Sequence, residues 1–144
     1  MNQTEKAVDC FNSGFNCSQA IFSVYSEKLG VSNETAYKIA SGFGAGMGRL
    51  CETCGAVTGA YMVIGLHYGH ASPDDSESKE KTYSLVQEFA KRFKERNRSI
   101  KCEDLLGTHL ITGDKEKASK QVKVICPKMV RDAAEILEQL LKKQ

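Results

Sequence analysis

The sequence predicts an all-α protein, a single-domain helical bundle over residues 1–144 with a glycine-rich loop before a buried central helix. Apolar residues recur at helical spacing along most of the chain, and helix-capping residues or glycines stand between these segments. No stretch alternates apolar and polar residues with the period of two that predicts a strand. Since no long linker, internal repeat or low-complexity tract divides the chain, one domain is expected.

Three short helices are predicted before the glycine-rich loop. The first covers about residues 4–13, the second follows a cap at Asn16, and the third follows a cap at Ser32 or Asn33. The third helix ends at the loop of residues 42–48, which include four glycines. Because glycine is costly inside a helix, we expect this loop to have a role other than helix stability.

The predicted central helix follows the loop, with Thr53 as its cap. It is apolar on nearly all sides, which is typical of a buried helix. Gly55 and Gly59 stand four residues apart and lack side chains, so they leave room for a neighbouring helix to pack closely.

The rest of the chain is also predicted to be helical. A long amphipathic helix begins after the helix-start sequence at Ser72 and ends near residue 98. Residues 102–107 form one or two helical turns, and residues 114–125 form a weaker helix or mixed segment. The last helix covers residues 127–141, with Cys126 at its cap position.

Composition and charge exclude several classes of function. The chain has 20 Lys and Arg against 18 Asp and Glu, a net charge of +2, so nucleic acid is not an expected partner. The first six residues are polar and acidic, unlike a signal peptide. The most apolar stretch, residues 55–69, is shorter than the roughly 20 residues needed to span a bilayer. We therefore expect a cytoplasmic protein without a membrane partner, whose six cysteines are kept reduced.

Four of the six cysteines fall where the sequence would begin a helix. A helix start carries free backbone N–H groups and the positive end of the helix dipole, which favour a thiolate over a thiol. Four thiolates can bind one metal ion or the irons of an iron–sulfur cluster. The long intervals between them are weak evidence by themselves, since a free cysteine often only fills the core. These candidate metal ligands are Cys17, Cys54, Cys102 and Cys126.

A second arrangement of thiols is the Cys-x-x-Cys pair of Cys51 and Cys54. One turn of helix could bring these two sulfurs together for reversible disulfide chemistry, which makes them candidate catalytic residues. Cys10 lies midway through the first helix and is expected to be structural. Glycines would let the backbone approach a bound centre, where N–H groups can hydrogen-bond to sulfur. The candidate cofactor-binding glycines are Gly44, Gly46, Gly48 and Gly55.

The cysteine pattern resembles that of a known family of small bacterial and archaeal proteins, the putative redox-active C_GCAxxG_C_C family. The signature motif corresponds to the run from Cys54 to Gly59, which reads Cys-Gly-Ala-Val-Thr-Gly. The resemblance implies a four-cysteine centre with a redox role, to which Cys10 and Cys51 are additional. The family's four cysteines correspond to Cys17, Cys54, Cys102 and Cys126.

Three hypotheses for the function remain open. In the first, the four cysteines hold an iron–sulfur cluster or a single metal ion, iron or zinc, and the protein passes electrons to a redox partner protein. In the second, Cys51 and Cys54, or two of the four cysteines, cycle between dithiol and disulfide as a thiol-disulfide oxidoreductase. In the third, zinc contributes folding energy to an interaction module and no chemistry. Whether the protein is an enzyme or an electron carrier, and whether it forms a homodimer, stays open.

Overall fold

A computed structural model describes residues 1–106 and 115–142, and these two ranges contain helices and no strand. The predicted turns over 102–107 end at residue 107, and the predicted segment over 114–125 begins at residue 114. Both of these residues lie outside the described residues. Within the described part of the chain, no helix combines the length and apolar character needed to cross a bilayer. The all-α prediction is confirmed. The helices are α1 (Gln3–Asn12), α2 (Cys17–Glu27), α3 (Asn33–Ala40), α4 (Gly44–Met47), α5 (Gly55–Tyr68), α6 (Ser76–Asn97), α7 (Cys102–Leu106) and α8 (Lys115–Lys142).

Helix α5 is the buried central helix that the sequence predicted. Its neighbour α2 approaches so closely that a Cβ on Gly59 would stand 3.0 Å from the Ser18 carbonyl oxygen and 3.1 Å from the Ile21 Cβ. The predicted close approach at the spaced glycines is therefore confirmed, because a side chain there would force the neighbouring helix to shift. The residues of α5 with no exposed surface include Ala56, Val57, Ala60, Val63 and Ile64.

Helix α8 is fixed against α2 and α6 by polar contacts at the edge of the core. The Tyr25 hydroxyl donates to the Ala134 carbonyl at 3.2 Å and to the Glu138 carboxylate at 2.9 Å. On the other side, Arg96 pairs with Asp132 at 3.2 Å. These contacts determine how the C-terminal helix, which carries a cysteine, lies relative to the N-terminal half of the chain.

The start of α5 differs from the prediction by one residue. Cys54, and not Thr53, occupies the cap position, and Thr53 instead forms an isolated β-bridge with Lys101. The backbone N–H of Cys54 donates to the Ile100 carbonyl at 2.7 Å. This contact with a distant segment holds the residues before α5 in an extended conformation, so the helix begins at Gly55.

The prediction of a helix start at Pro127 is wrong. Helix α8 is continuous from Lys115 to Lys142 and contains Pro127, so Cys126 lies inside a helix and not at its cap. A proline inside a helix costs about 3 kcal/mol because it lacks an N–H and crowds the preceding turn. Full burial of a large apolar side chain contributes about 1.5–3 kcal/mol. Cys126, Met129 and Val130 are all buried around the proline, and this packing offsets its cost.

Candidate functional site

A cavity of about 590 Å³ lies where α2, α5, α7 and α8 meet the loop before α5. Asn12, Gly14 and Lys123 belong to its wall and are exposed, so the cavity opens to solvent. The structure thus places the four cysteines that the sequence singled out as metal ligands around one space, although they come from distant parts of the chain. They are Cys17, Cys54, Cys102 and Cys126.

Local sequence fixes the position of Cys17 at the start of α2. Asn16 caps the helix, since its side chain accepts a hydrogen bond from the Gln19 N–H at 2.9 Å. The Gln19 side chain in turn accepts from the Asn16 N–H at 3.0 Å, which completes a capping box. Cys17 is therefore the first residue of a well-defined helix, and it is 7% exposed.

Cys17 and Cys126 both belong to the cavity wall, and their thiols influence each other. Interaction with the Cys17 thiol lowers the pKa of Cys126. The same interaction, together with burial, raises the pKa of Cys17 well above its usual range. One sulfur thus keeps its proton while the other favours the thiolate, which is the reactive form in thiol-disulfide exchange.

The other two cysteines on the wall are buried and protonated. Burial raises the pKa of Cys54 to about 12, against the opposing effect of the backbone N–H groups of Ala56 and Val57. Burial also raises the pKa of Cys102, and the neighbouring Cys54 sulfur adds to this effect. The predicted preference for thiolates at helix starts is therefore wrong for Cys54 and Cys102, because desolvation outweighs the helix terminus. It is also wrong for Cys17, whose pKa is raised by interaction with Cys126 and then by burial.

Cys51 lies next to Cys102, outside the cavity wall. It is 2% exposed, and both its Cα and the Cys102 Cβ lie within 3.0 Å of the position that a Cβ on Gly46 would take. Its backbone has φ +58°, in the left-handed region. The helical turn between Cys51 and Cys54 that the sequence suggested is therefore not formed. The Cys51 and Cys54 dithiol stays a prediction, and the cysteine that contacts Cys51 in the structure is Cys102.

The glycine-rich loop forms a left-handed helical turn. Ala45 and Gly46 have φ/ψ of 55°/40° and 66°/54°, and Gly48 follows with 64°/39°. The N–H of Gly48 donates to the Gly44 carbonyl at 2.8 Å, and that of Arg49 to the Ala45 carbonyl at 3.1 Å. A left-handed turn costs about 1–2 kcal/mol for each residue that carries a Cβ, so the alternating glycines reduce the strain of this segment.

The four candidate glycines occupy different positions around the cavity. Gly46 and Gly55 belong to its wall, and Gly46 lies against Cys102. Gly44 packs beneath the Asn16 side chain, and Gly48 is exposed at the end of the left-handed turn. Two of the four therefore stand where a bound group could contact their backbone, and the other two shape the loop.

The thiols as they stand do not form a site for a single metal ion. A tetrahedral zinc holds its sulfurs about 2.3 Å from one point. Across residues 1–106 and 115–142, no group of three or more His, Cys, Asp or Glu side chains is arranged to hold a metal ion. In an iron–sulfur cluster the thiolates bind different irons, so the sulfurs stand farther apart. All six cysteines are free, so no disulfide joins them.

The remaining wall residues were not singled out by the sequence. Phe15, Leu106 and Met129 make much of the wall apolar, and Lys123 brings a positive charge to it. Lys123 lies three residues before Cys126 on α8, so the two share a helix face. A continuous last helix would have predicted that Lys123 and Cys126 share a face, but Pro127 predicted a helix break next to Cys126. Cys10 lies outside the wall, with its sulfur 3.9 Å from the Ser23 hydroxyl.

The fold and the cavity define a small all-α protein whose chemistry-bearing groups are thiols from separate helices. A family model described as putative redox-active protein (C_GCAxxG_C_C) matches residues 15–140, and the chain belongs to this family. The resemblance drawn from the cysteine motif is thereby confirmed. Neither the curated proteins nor the solved structures contain a match to the chain.

Proposed function

We propose that the protein is a thiol-disulfide redox protein in which Cys17 and Cys126 cycle between dithiol and disulfide. The observation that carries this proposal is the place of both thiols on the wall of one cavity open to solvent. Interaction with Cys17 lowers the pKa of Cys126, so its thiolate is available as the attacking group. Lys123 on the same helix face favours a substrate that carries negative charge.

The reaction proceeds in two exchanges. The Cys126 thiolate attacks one sulfur of a disulfide in the cavity, which breaks the substrate S–S bond and releases one thiolate that takes up a proton. Cys17 then loses its proton and attacks the mixed disulfide, which releases the second substrate thiol. The protein gives up two electrons and two protons, the substrate disulfide becomes two thiols, and one Cys17–Cys126 bond forms.

The family motif contributes to this couple by positioning α2. A Cβ on Gly55 would stand 3.3 Å from the Cys17 Cβ, and one on Gly59 would stand 3.0 Å from the Ser18 carbonyl oxygen. The absence of side chains at both glycines lets α2 pack directly on α5. Cys17, the first residue of α2, is thereby held at the cavity.

Disulfide mapping after mild oxidation tests the proposal. The reduced chain is treated with oxidised glutathione, blocked with an alkylating agent and digested with trypsin. We expect the peptide Val124–Lys128, which carries Cys126, to be linked to the peptide Ala7–Lys28. That second peptide carries both Cys10 and Cys17, so the linkage should persist in Cys10→Ser and vanish in Cys17→Ser. A linkage that behaves in the opposite way, or no linkage of Cys126, contradicts the proposal.

A second candidate function is electron transfer to a redox partner protein through an iron–sulfur cluster. It is favoured by the convergence of Cys17, Cys54, Cys102 and Cys126 on one cavity. The four cysteines would be the ligands, and Gly46 and Gly55 would bring backbone N–H groups near their sulfurs. A cluster, when bound, would supply one-electron chemistry that thiols alone do not.

Metal analysis with a visible absorption spectrum, on protein purified without air, separates the candidates. Iron with broad visible absorption supports the cluster, and protein without metal or colour contradicts it. Zinc in a colourless protein that loses its fold with a chelator supports the structural zinc module instead.

A further inference from the structure

Cys51 is the one cysteine of the described residues that is buried and yet absent from the cavity wall. Neither the family's four cysteines nor the couple proposed above assigns it a role. Its environment is nevertheless specific, because two segments distant in sequence hold it against Cys102. The contact is made by the backbone.

The backbone contact is a pair of crossing hydrogen bonds. The N–H of Cys102 donates to the Glu52 carbonyl at 2.6 Å, and the N–H of Glu103 donates to the Cys51 carbonyl at 3.1 Å. Together with the bridge between Thr53 and Lys101, these bonds tie the segment before α5 to the start of α7. The two cysteines are therefore fixed relative to each other before any contact between their side chains is considered.

The left-handed turn brings Gly46 close to both Cys51 and Cys102. A Cβ on Gly46 would stand 2.6 Å from the Cys102 Cβ and 2.9 Å from the Cys51 Cα, so these two atoms are no farther apart than the sum of those distances. Cα atoms joined by a disulfide are usually about 4.4–6.8 Å apart. The Cys102 Cα lies one further bond of about 1.5 Å from its Cβ, so this bound allows the two Cα atoms to lie within that range.

We propose that Cys51 and Cys102 form a second dithiol couple, in which Cys102 meets a disulfide in the cavity and Cys51 resolves the mixed disulfide from outside the wall. Cys102 loses its proton and attacks the disulfide, whose S–S bond breaks and whose first half leaves as a thiolate that takes up that proton. Cys51 then loses its proton, attacks the Cys102 sulfur and releases the second half as a thiolate that is protonated in the same way. Two protons and two electrons pass to the oxidant, and a Cys51–Cys102 bond forms. With the Cys17 and Cys126 couple, the chain stores four electrons.

One oxidation experiment tests both couples, and each couple predicts a different pair of linked peptides. After oxidation with oxidised glutathione, the tryptic peptide Leu50–Lys79 should be linked to the peptide Cys102–Lys115. The first of these peptides contains both Cys51 and Cys54, so variants identify the partner. We expect the linkage to vanish in Cys51→Ser and to persist in Cys54→Ser. Far-UV circular dichroism of each reduced variant shows that it retains its helices.

A count of free thiols completes the experiment on the unaltered chain, for which no substitution can disturb folding. Full oxidation should reduce the six thiols to two, on Cys10 and Cys54. A free Cys51 after full oxidation, or a Cys51–Cys54 bond within one peptide, overturns the proposal even if Cys126 is linked as expected. Linkage of Cys51 to Cys102 with Cys126 left free supports this couple and refutes the other.

Discussion

Gly55→Ala tests whether close contact between α2 and α5 positions the reactive thiols. Gly55 is the first residue of α5, and an added methyl group would stand 3.1 Å from the Ser18 nitrogen, 3.1 Å from the Phe43 carbonyl oxygen and 3.3 Å from the Cys17 Cβ. Two of these three atoms belong to the backbone, so they can move only with their helix or loop. The substitution should therefore displace the start of α2, where Cys17 lies.

The expected loss of stability follows from two opposing effects. Overpacking of a close contact costs about 1–3 kcal/mol. Replacement of a helical glycine by alanine gains at most about 1 kcal/mol. The free energy of unfolding should therefore fall by up to about 2 kcal/mol, which lowers the Tm by up to about 6 °C in a chain of this size.

Gly65→Ala is the matched control in the same helix. A Cβ on Gly65 would meet nothing within 4 Å, so only the gain in helix propensity applies. We expect a rise of about 1 kcal/mol in the free energy of unfolding, or about 3 °C in Tm. The two substitutions are chemically identical, so opposite signs isolate the contact with α2.

Thermal unfolding of the reduced proteins and the rate of Cys17–Cys126 disulfide formation are the two measurements. Gly55→Ala should lower the Tm and slow disulfide formation, whereas Gly65→Ala should raise the Tm and leave that rate unchanged. If Gly55→Ala stabilises the chain as much as the control does and oxidises at the same rate, the glycine is only a tolerated helix residue.

Three further predictions follow from the same contacts. Burial raises the pKa of Cys54 from 9.0 to about 12, so between these pH values only the unfolded chain ionises at this thiol. Raising the pH from 9 to 12 should therefore lower the free energy of unfolding by about 1.4 kcal/mol per pH unit for such a thiol. Cys54→Ser should reduce that slope in denaturant titrations. It should also abolish bound metal if the cofactor candidate is right, while Cys10→Ser leaves bound metal unchanged. Tyr25→Phe removes the hydroxyl that donates to Glu138 and should cost about 1 kcal/mol in urea unfolding, and an unchanged midpoint would refute a structural role for that hydrogen bond.

The helices were predictable where local sequence decides them. Asn16 and Ser32 cap α2 and α3 as expected, because each side chain accepts a hydrogen bond from an N–H three residues on. Gly55 and Gly59 likewise predicted a close helix contact. Pro127 misled the prediction because its local cost is offset by burial of side chains against other helices, which the sequence around it does not display.

The cysteines were predictable as a group but not in their chemistry. Cys17, Cys54 and Cys102 stand at or next to helix starts as expected, yet their pKa values are raised. Interaction with Cys126 and burial raise the pKa of Cys17. At Cys54 and Cys102, desolvation in the assembled fold exceeds the effect of a helix terminus on the pKa. Sequence proximity favoured Cys51 with Cys54. The structure places Cys51 beside Cys102 because a β-bridge joins segments about fifty residues apart, and such long-range contacts leave no local signal.

The position of the glycines gives the signature motif a role that its cysteine alone does not explain. Gly55 and Gly59 lie on the face of α5 that meets α2, and they permit the contact that holds Cys17 at the cavity. Cys126, the partner of Cys17, comes from α8, so the motif supplies neither sulfur of the proposed couple. Reactivity of that couple should therefore depend on glycines four residues apart on a third helix. A change at Gly59, which touches no cysteine, should alter disulfide formation by moving α2.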